Sequence, residues 1–253
     1  MKAIVQIAFV FLIFSCNKKK IFDGIDFYQD GFEDYSSYDE LLIEDNVNWS
    51  FNQITRESNS IALVDDFSHS GNYSLRFDAE PSSDEGASKA SIAKQNFAFW
   101  EGETVRFSAW YFIEGDQDLQ WLFIMDIEER TPIGAGPGMR LAIVDDQLLV
   151  EHKYLEPNIK QSSGSEISFP RDEWVHIEWE VLLSQKDKGS VRVWQNDQLI
   201  ISKDNHRTLP SDLLYFQQGT KGQYSSCEIG ITANSSENSC SLWVDDVQIE
   251  KIN

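Results

Sequence analysis

Positive charge is scarce in this chain of 253 residues: 21 Lys and Arg stand against 42 Asp and Glu. Proteins that grip nucleic acid neutralise phosphates with basic patches, so this balance argues against a nucleic-acid partner. It also weighs mildly against a polyanionic substrate, though only in the mean field, and a local basic cleft is compatible with it. Cysteine is sparse too, with three in the chain. The four His are scattered and no Cys pair has ligand spacing, which argues against a zinc centre. A phosphate-cradling Gly loop and a Gly-x-Ser-x-Gly nucleophile elbow are both absent. No segment beyond the N-terminus is apolar for the roughly 20 residues that a bilayer crossing needs. No Pro/Ser-rich linker and no internal repeat divides the chain, so one large domain is expected.

The N-terminus reads as an export signal. Met1-Lys2 supplies a positive charge, and the following run to Phe14 is apolar apart from Gln6. That run suits a secretory core and is too short to span a membrane. Ile13-Phe14-Ser15-Cys16 resembles the bacterial lipobox, with an aliphatic residue at −3, a small residue at −1 and Cys at +1. The resemblance implies a signal peptide over 1–15 and lipidation at Cys16; Ile21–Asp30 reads as a tether or a first strand, and the division taken is a tether over 16–30 and a folded domain over 31–253. The mature protein would then be held to a bacterial envelope membrane by its lipid, at the outer membrane or cell surface. Cleavage removes Lys2, leaving 20 − 42 = −22. An exported protein can carry a disulfide between Cys227 and Cys240. In a simple hairpin, however, the two are staggered by about six residues, roughly 20 Å at strand rise. A bridge tolerates about 7 Å between Cα atoms, so it requires that the two strands not be direct partners.

Alternation of period two dominates the rest. Val105, Phe107, Ala109, Tyr111 and Ile113 alternate with Arg106, Ser108, Trp110 and Phe112. Val175, Ile177, Trp179 and Val181 alternate with His176, Glu178 and Glu180. These are half-buried strands, separated by turn clusters such as Asp145-Asp146 and Asn196-Asp197. No helix of convincing length is expected, although Glu33–Ile43 could hold a short one. The fold class is all-β, a two-sheet antiparallel sandwich. Glu128–Gly138 and Glu156–Pro170 read as long loops over one face, where function often resides.

Several segments together resemble the concanavalin A-like jelly-roll superfamily, especially its heparin-lyase-like polysaccharide lyases. They are His69-Ser70-Gly71-Asn72-Tyr73-Ser74-Leu75-Arg76-Phe77, the pair Asp172–Trp179 and Gly189–Asp197, and Leu242–Ile249. The resemblance covers roughly residues 60 to 250 and implies a polysaccharide partner. It puts Lys89 where an Arg-rich strand of alginate-lyase-like relatives carries Arg. It sets Phe123–Asp126 at their second strand, which carries Gln and His in those relatives. It puts Tyr215–Gly219 at their Tyr-x-Lys-x-Gly-x-Tyr strand, with Gln217 at the Lys position and Lys221 and Tyr224 following.

β-Elimination needs a group that neutralises a uronate carboxylate, a base for the C5 proton and an acid for the leaving oxygen. The hairpin turning at Asp145-Asp146 offers Arg140 for the first role. His152 and Tyr154, two apart on its second strand, offer proton transfer. Trp121, Lys153, Lys89, Tyr215 and Tyr224 are the substrate-binding candidates. The same residues read equally well as strand residues closing a half-buried face. Two further readings stand beside elimination. Ile124-Met125-Asp126-Ile127-Glu128 nearly matches the Glu-x-Asp-x-Glu strand of laminarinase-like hydrolases, with Ile124 at the nucleophile position. Trp110, Trp121, Trp194 and Trp243 could form platforms of a non-catalytic glycan-binding protein. An envelope structural or interaction module is the third possibility. No cofactor is expected, except that Asp245-Asp246 could hold a structural Ca²⁺.

Overall fold

The computed structural model describes residues 23–42, 47–84, 86–131, 134–152, 155–209 and 222–253. The signal-peptide reading and Cys16 fall outside these residues. The described chain forms β1 (Phe27–Asp30), a 3₁₀ turn (Tyr38–Leu42), β2 (Phe51–Ile54), β3 (Ser60–Val64), β4 (Ser74–Ala79) and β5 (Ala90–Trp100). Then follow β6 (Thr104–Ile113), β7 (Leu122–Thr131), β8 (Gly134–Val144), β9 (Gln147–His152) and β10 (Leu155–Ile159). The rest are β11 (Val175–Leu182), β12 (Gly189–Gln195), β13 (Gln198–His206), β14 (Gln223–Asn234) and β15 (Cys240–Lys251).

They pair into two antiparallel sheets. One runs β13-β12-β11-β6-β15-β4-β3, with β1 added beside β15, and the other runs β10-β9-β8-β7-β14-β5-β2. The alternation read from the sequence is the burial pattern. In β6 the residues Val105, Phe107, Ala109, Tyr111 and Ile113 are buried and their neighbours are half-exposed. Phe107 lies directly opposite Trp179 of β11, with ring centroids 5.6 Å apart. The inner faces of both sheets meet in one core that runs from Phe107, Trp179 and Val193 to Ile92, Cys227 and Ile229. Two-residue turns with both φ positive close β8 onto β9 (Asp145, Asp146) and β12 onto β13 (Asn196, Asp197). Their twist matches that of the strands they join.

Four expectations change. Glu128–Gly138 is not a loop: β7 and β8 continue through it as a hairpin, with Thr131 paired to Gly134. Gly138 is what allows this, since a Cβ there would lie 2.0 Å from the Ile127 carbonyl oxygen. The segment read as a loop over Glu156–Pro170 begins as the edge strand β10. The end of the segment placed in the tether is the other reading of Ile21–Asp30, a first strand of the domain, since β1 pairs with β15 from Phe27↔Glu250 to Asp30↔Val247. Finally, Cys227 and Cys240 do not sit in a simple hairpin: their strands belong to different sheets, and both are free, buried thiols.

Candidate functional site

The outer face of the seven-stranded sheet is polar, which is unusual for side chains so little exposed. Asp126 (2 %), Glu128 (8 %) and Glu228 (3 %) lie there together with Ser91 and Thr232. Pairing builds the cluster: Glu228 of β14 is the register partner of Asp126 on β7 and of Ala93 on β5. Thr232 Oγ1 donates to Asp126 Oδ1 at 2.9 Å. Ser91 Oγ donates to Glu228 Oε1. Lys89, just before β5, brings its ammonium 3.6 Å from the same oxygen. Burial raises the Glu228 carboxyl to about 7, opposed by Lys89 and the Ser91 hydrogen bond and helped by Asp126 and Glu128. A carboxylate at that value exchanges protons at neutral pH, the property wanted of an acid–base group.

Next along the face, Arg140 of β8 lies opposite Asp126 on one side and Glu151 of β9 on the other. Its Nε is 2.7 Å from Glu151 Oε2, and its guanidinium stacks 4.0 Å from the Phe123 ring centroid. Phe123 in turn stacks on half-buried Trp121, at 5.9 Å between centroids. Ala142, Leu149 and Ala233 complete a small apolar patch beneath these rings. Charged and hydrogen-bonding groups beside an aromatic pair are the equipment of a sugar site.

The sequence-derived residues divide between the two faces. Arg140, Lys89 and Trp121 sit on the outer face. His152 does not join Arg140, which corrects the expected constellation. His152 pairs with Met139, a core residue, and is 5 % exposed on the inner side of the sheet. Burial, then the charges of His206 and Arg207, lower its pKa to about 4. Tyr224 is likewise a core residue, not a substrate contact: it is fully buried, and its hydroxyl donates to the Thr208 carbonyl at 2.7 Å. Lys153, Tyr154 and Tyr215 lie outside the described residues. Ile124 is a core residue as well, because a bulge between Phe123 and Met125 breaks the alternation and puts Phe123 on the outer face. The other proposed platforms belong to the eight-stranded sheet. There Trp110 stacks on His69 at 3.7 Å, and Trp243 is packed by Phe67, Phe112 and Arg76.

The model of the polysaccharide lyase family matches residues 34–248. The chain belongs to the polysaccharide lyase family. Its fold is shared by an endo-β-1,4-glucuronan lyase from the fungus Trichoderma reesei, at TM-score 0.62 and 13 % identity over 80 % of this chain and 90 % of that one. It is shared by the cellulose-induced protein Cip1, at TM-score 0.61 and 17 % identity over 88 % and 96 %. Alginate lyase Aly36B is a third such structure, at TM-score 0.59 and 11 % identity over 92 % and 99 %. No curated protein matches the sequence.

In this polysaccharide lyase family member, one cluster of described residues could hold a cation. His69, Asp245 and Asp246 bring a donor atom each to within 4.8 Å of one another. A bulge between Asp245 and Gln248, with Asp246 at φ 48°, gathers both carboxylates there. His69 Nδ1 is 2.8 Å from Asp246 Oδ2, while Asp245 Oδ2 accepts from the His69 and Ser70 amides at 2.9 and 3.1 Å. Burial raises Asp245 to about 6. Two carboxylates and one imidazole fall short of the about six to eight oxygens that Ca²⁺ takes.

Proposed function

We propose that the chain is a lyase for a uronate-containing extracellular glycan, acting on the outer face of the seven-stranded sheet. The observation that carries this is Glu228, a buried carboxyl poised near neutral pH beside Lys89, Asp126 and Glu128. In this reading the sugar ring stacks against Trp121 and Phe123, and Lys89 and Arg140 face the uronate carboxylate. That charge makes the C5 proton acidic. Glu228 takes the proton as the C4–O bond breaks and the C4=C5 double bond forms. A group at this pKa can then return the proton to the leaving oxygen, so a single residue serves a syn elimination.

Glycan capture without cleavage is the second reading. It is favoured by the charge count on the described part of the face, where Lys89 and Arg140 stand against Asp126, Glu128, Glu151 and Glu228. Incubation with alginate and with polyglucuronate separates the two. Elimination gives an unsaturated sugar that absorbs in the ultraviolet. Glu228→Gln should lower that rate by about 10²-fold or more, the usual worth of a positioned acid–base group. Full turnover by Glu228→Gln would overturn the assignment, and calorimetric binding without any product would establish the second reading. The proposal includes the lipid anchor at Cys16 and a bacterial envelope location, which the Ile13-Phe14-Ser15-Cys16 signal supports.

A further inference from the structure

Edge strands of the two sheets, β10 and β13, flank a groove of about 540 Å³. Asn158 and Lys160 line one wall, and Lys203, Asn205, His206 and Arg207 line the other. Asp187 is the one carboxylate among the described residues of the lining. Three permanent cations to one anion reverse the composition of the chain, which has 21 basic residues to 42 acidic. A local excess of cations in an acidic chain is the composition expected of a surface that attracts anions.

Backbone irregularity shapes both walls. In β13 the register slips as Gly189 pairs with His206 and Ser190 with Asp204, leaving Asn205 unpaired at φ 53°. In β10 the register slips between Leu155 and Ile159. Bulges of this kind re-aim side chains at functional sites. Here they leave Lys203, Asn205, His206 and Arg207 lining one groove. The two asparagines add amide donors, which suit carboxylate and hydroxyl oxygens.

We propose that this groove is a second binding site, separate from the outer face, for a chain of acidic sugars. It rests on the proposed function only in expecting a glycan; the preference for anionic residues comes from the groove. A site beside the reaction face would hold a polymer while the face works on it, so it would affect long chains and not short ones. Lysine and proline on edge strands also block edge-to-edge pairing, and Pro157, Lys160 and Lys203 could serve that end alone.

Lys160→Gln/Lys203→Gln tests the proposal, since both side chains are exposed and their replacement leaves the core intact. Native gels cast with alginate, dextran sulfate or neutral dextran read the binding, with sedimentation velocity beside them. The wild type and Glu228→Gln should both be retarded by alginate and not by neutral dextran. The double variant should bind alginate about tenfold more weakly, the scale of two lost charge contacts, and the wild-type affinity should fall with added salt. Retardation by dextran sulfate and not alginate would keep the site and assign it to sulfated sugars. Equal retardation by neutral dextran, or unchanged alginate binding in the double variant, would overturn the proposal. So would alginate retardation abolished by Glu228→Gln alone, or a double variant that self-associates with its alginate affinity intact. Loss of lyase activity in Glu228→Gln with retardation retained leaves the groove standing independently of the reaction.

Discussion

Glu228 and His152 impose opposite pH slopes on stability. The Glu228 carboxyl is raised from 4.5 to about 7 in the folded protein. Between those values the native state keeps a proton that the unfolded chain has released, so stability falls as pH rises through that window. The span corresponds to roughly 3 kcal/mol. His152 is lowered from 6.5 to about 4. The unfolded chain there binds the extra proton, and stability falls as pH drops from 6.5 toward 4, again by roughly 3 kcal/mol. Scanning calorimetry across pH should therefore show the Tm of Glu228→Gln gaining on wild type from pH 4 to pH 8. His152→Asn should flatten the acid limb. A Glu228→Gln offset that is the same at every pH would contradict the buried, near-neutral carboxyl. The sequence held the clue that separates His152 from Arg140. A two-residue turn at Asp145-Asp146 sets Val144 opposite Gln147, and counting back places Arg140 opposite Glu151 and Met139 opposite His152. Glu228 was not legible in this way. Its partners Lys89, Ser91 and Asp126 come from strands more than a hundred residues away, and only sheet order brings them together.

At the scale of elements, the eight-stranded sheet was the more legible of the two. β6, β11 and β12 each bury one face against the core and leave the other half-exposed, so their residues alternate as polarity predicts. β5 and β14 are buried on both faces nearly throughout, which erases the period-two signal. β7 adds a bulge at Ile124 that inverts the phase. Glycine also misled, because Gly134, Gly136 and Gly138 mark a turn in general and here stand within a strand. Gly230 of β14 shows how tightly the site-bearing sheet is built. Its φ is +100°, and a Cβ there would sit 2.6 Å from the Phe77 ring. Gly230→Ala should lose about 2–4 kcal/mol, from backbone strain together with overpacking. Urea unfolding reads this as a lower midpoint at unchanged slope. A midpoint equal to wild type would mean that β14 relaxes freely beside Glu228.

For the whole molecule, the proposed lipid anchor and the folded domain are separable. Cys16→Ser should move the protein from the detergent to the aqueous phase in a detergent partition, with the melting profile of the domain unchanged. Retention in the detergent phase would show that something other than Cys16 holds it. The domain itself is organised around β15, which pairs with β6 along one edge and with β4 and then β1 along the other. A nascent or truncated polypeptide that stops before Cys240 therefore lacks the seam joining the two halves of this sheet, however well its earlier hairpins form. This sheet cannot close before β15 is made, and under the proposed export the polypeptide would stay open, and threadable through a translocation channel, for as long as that seam is missing.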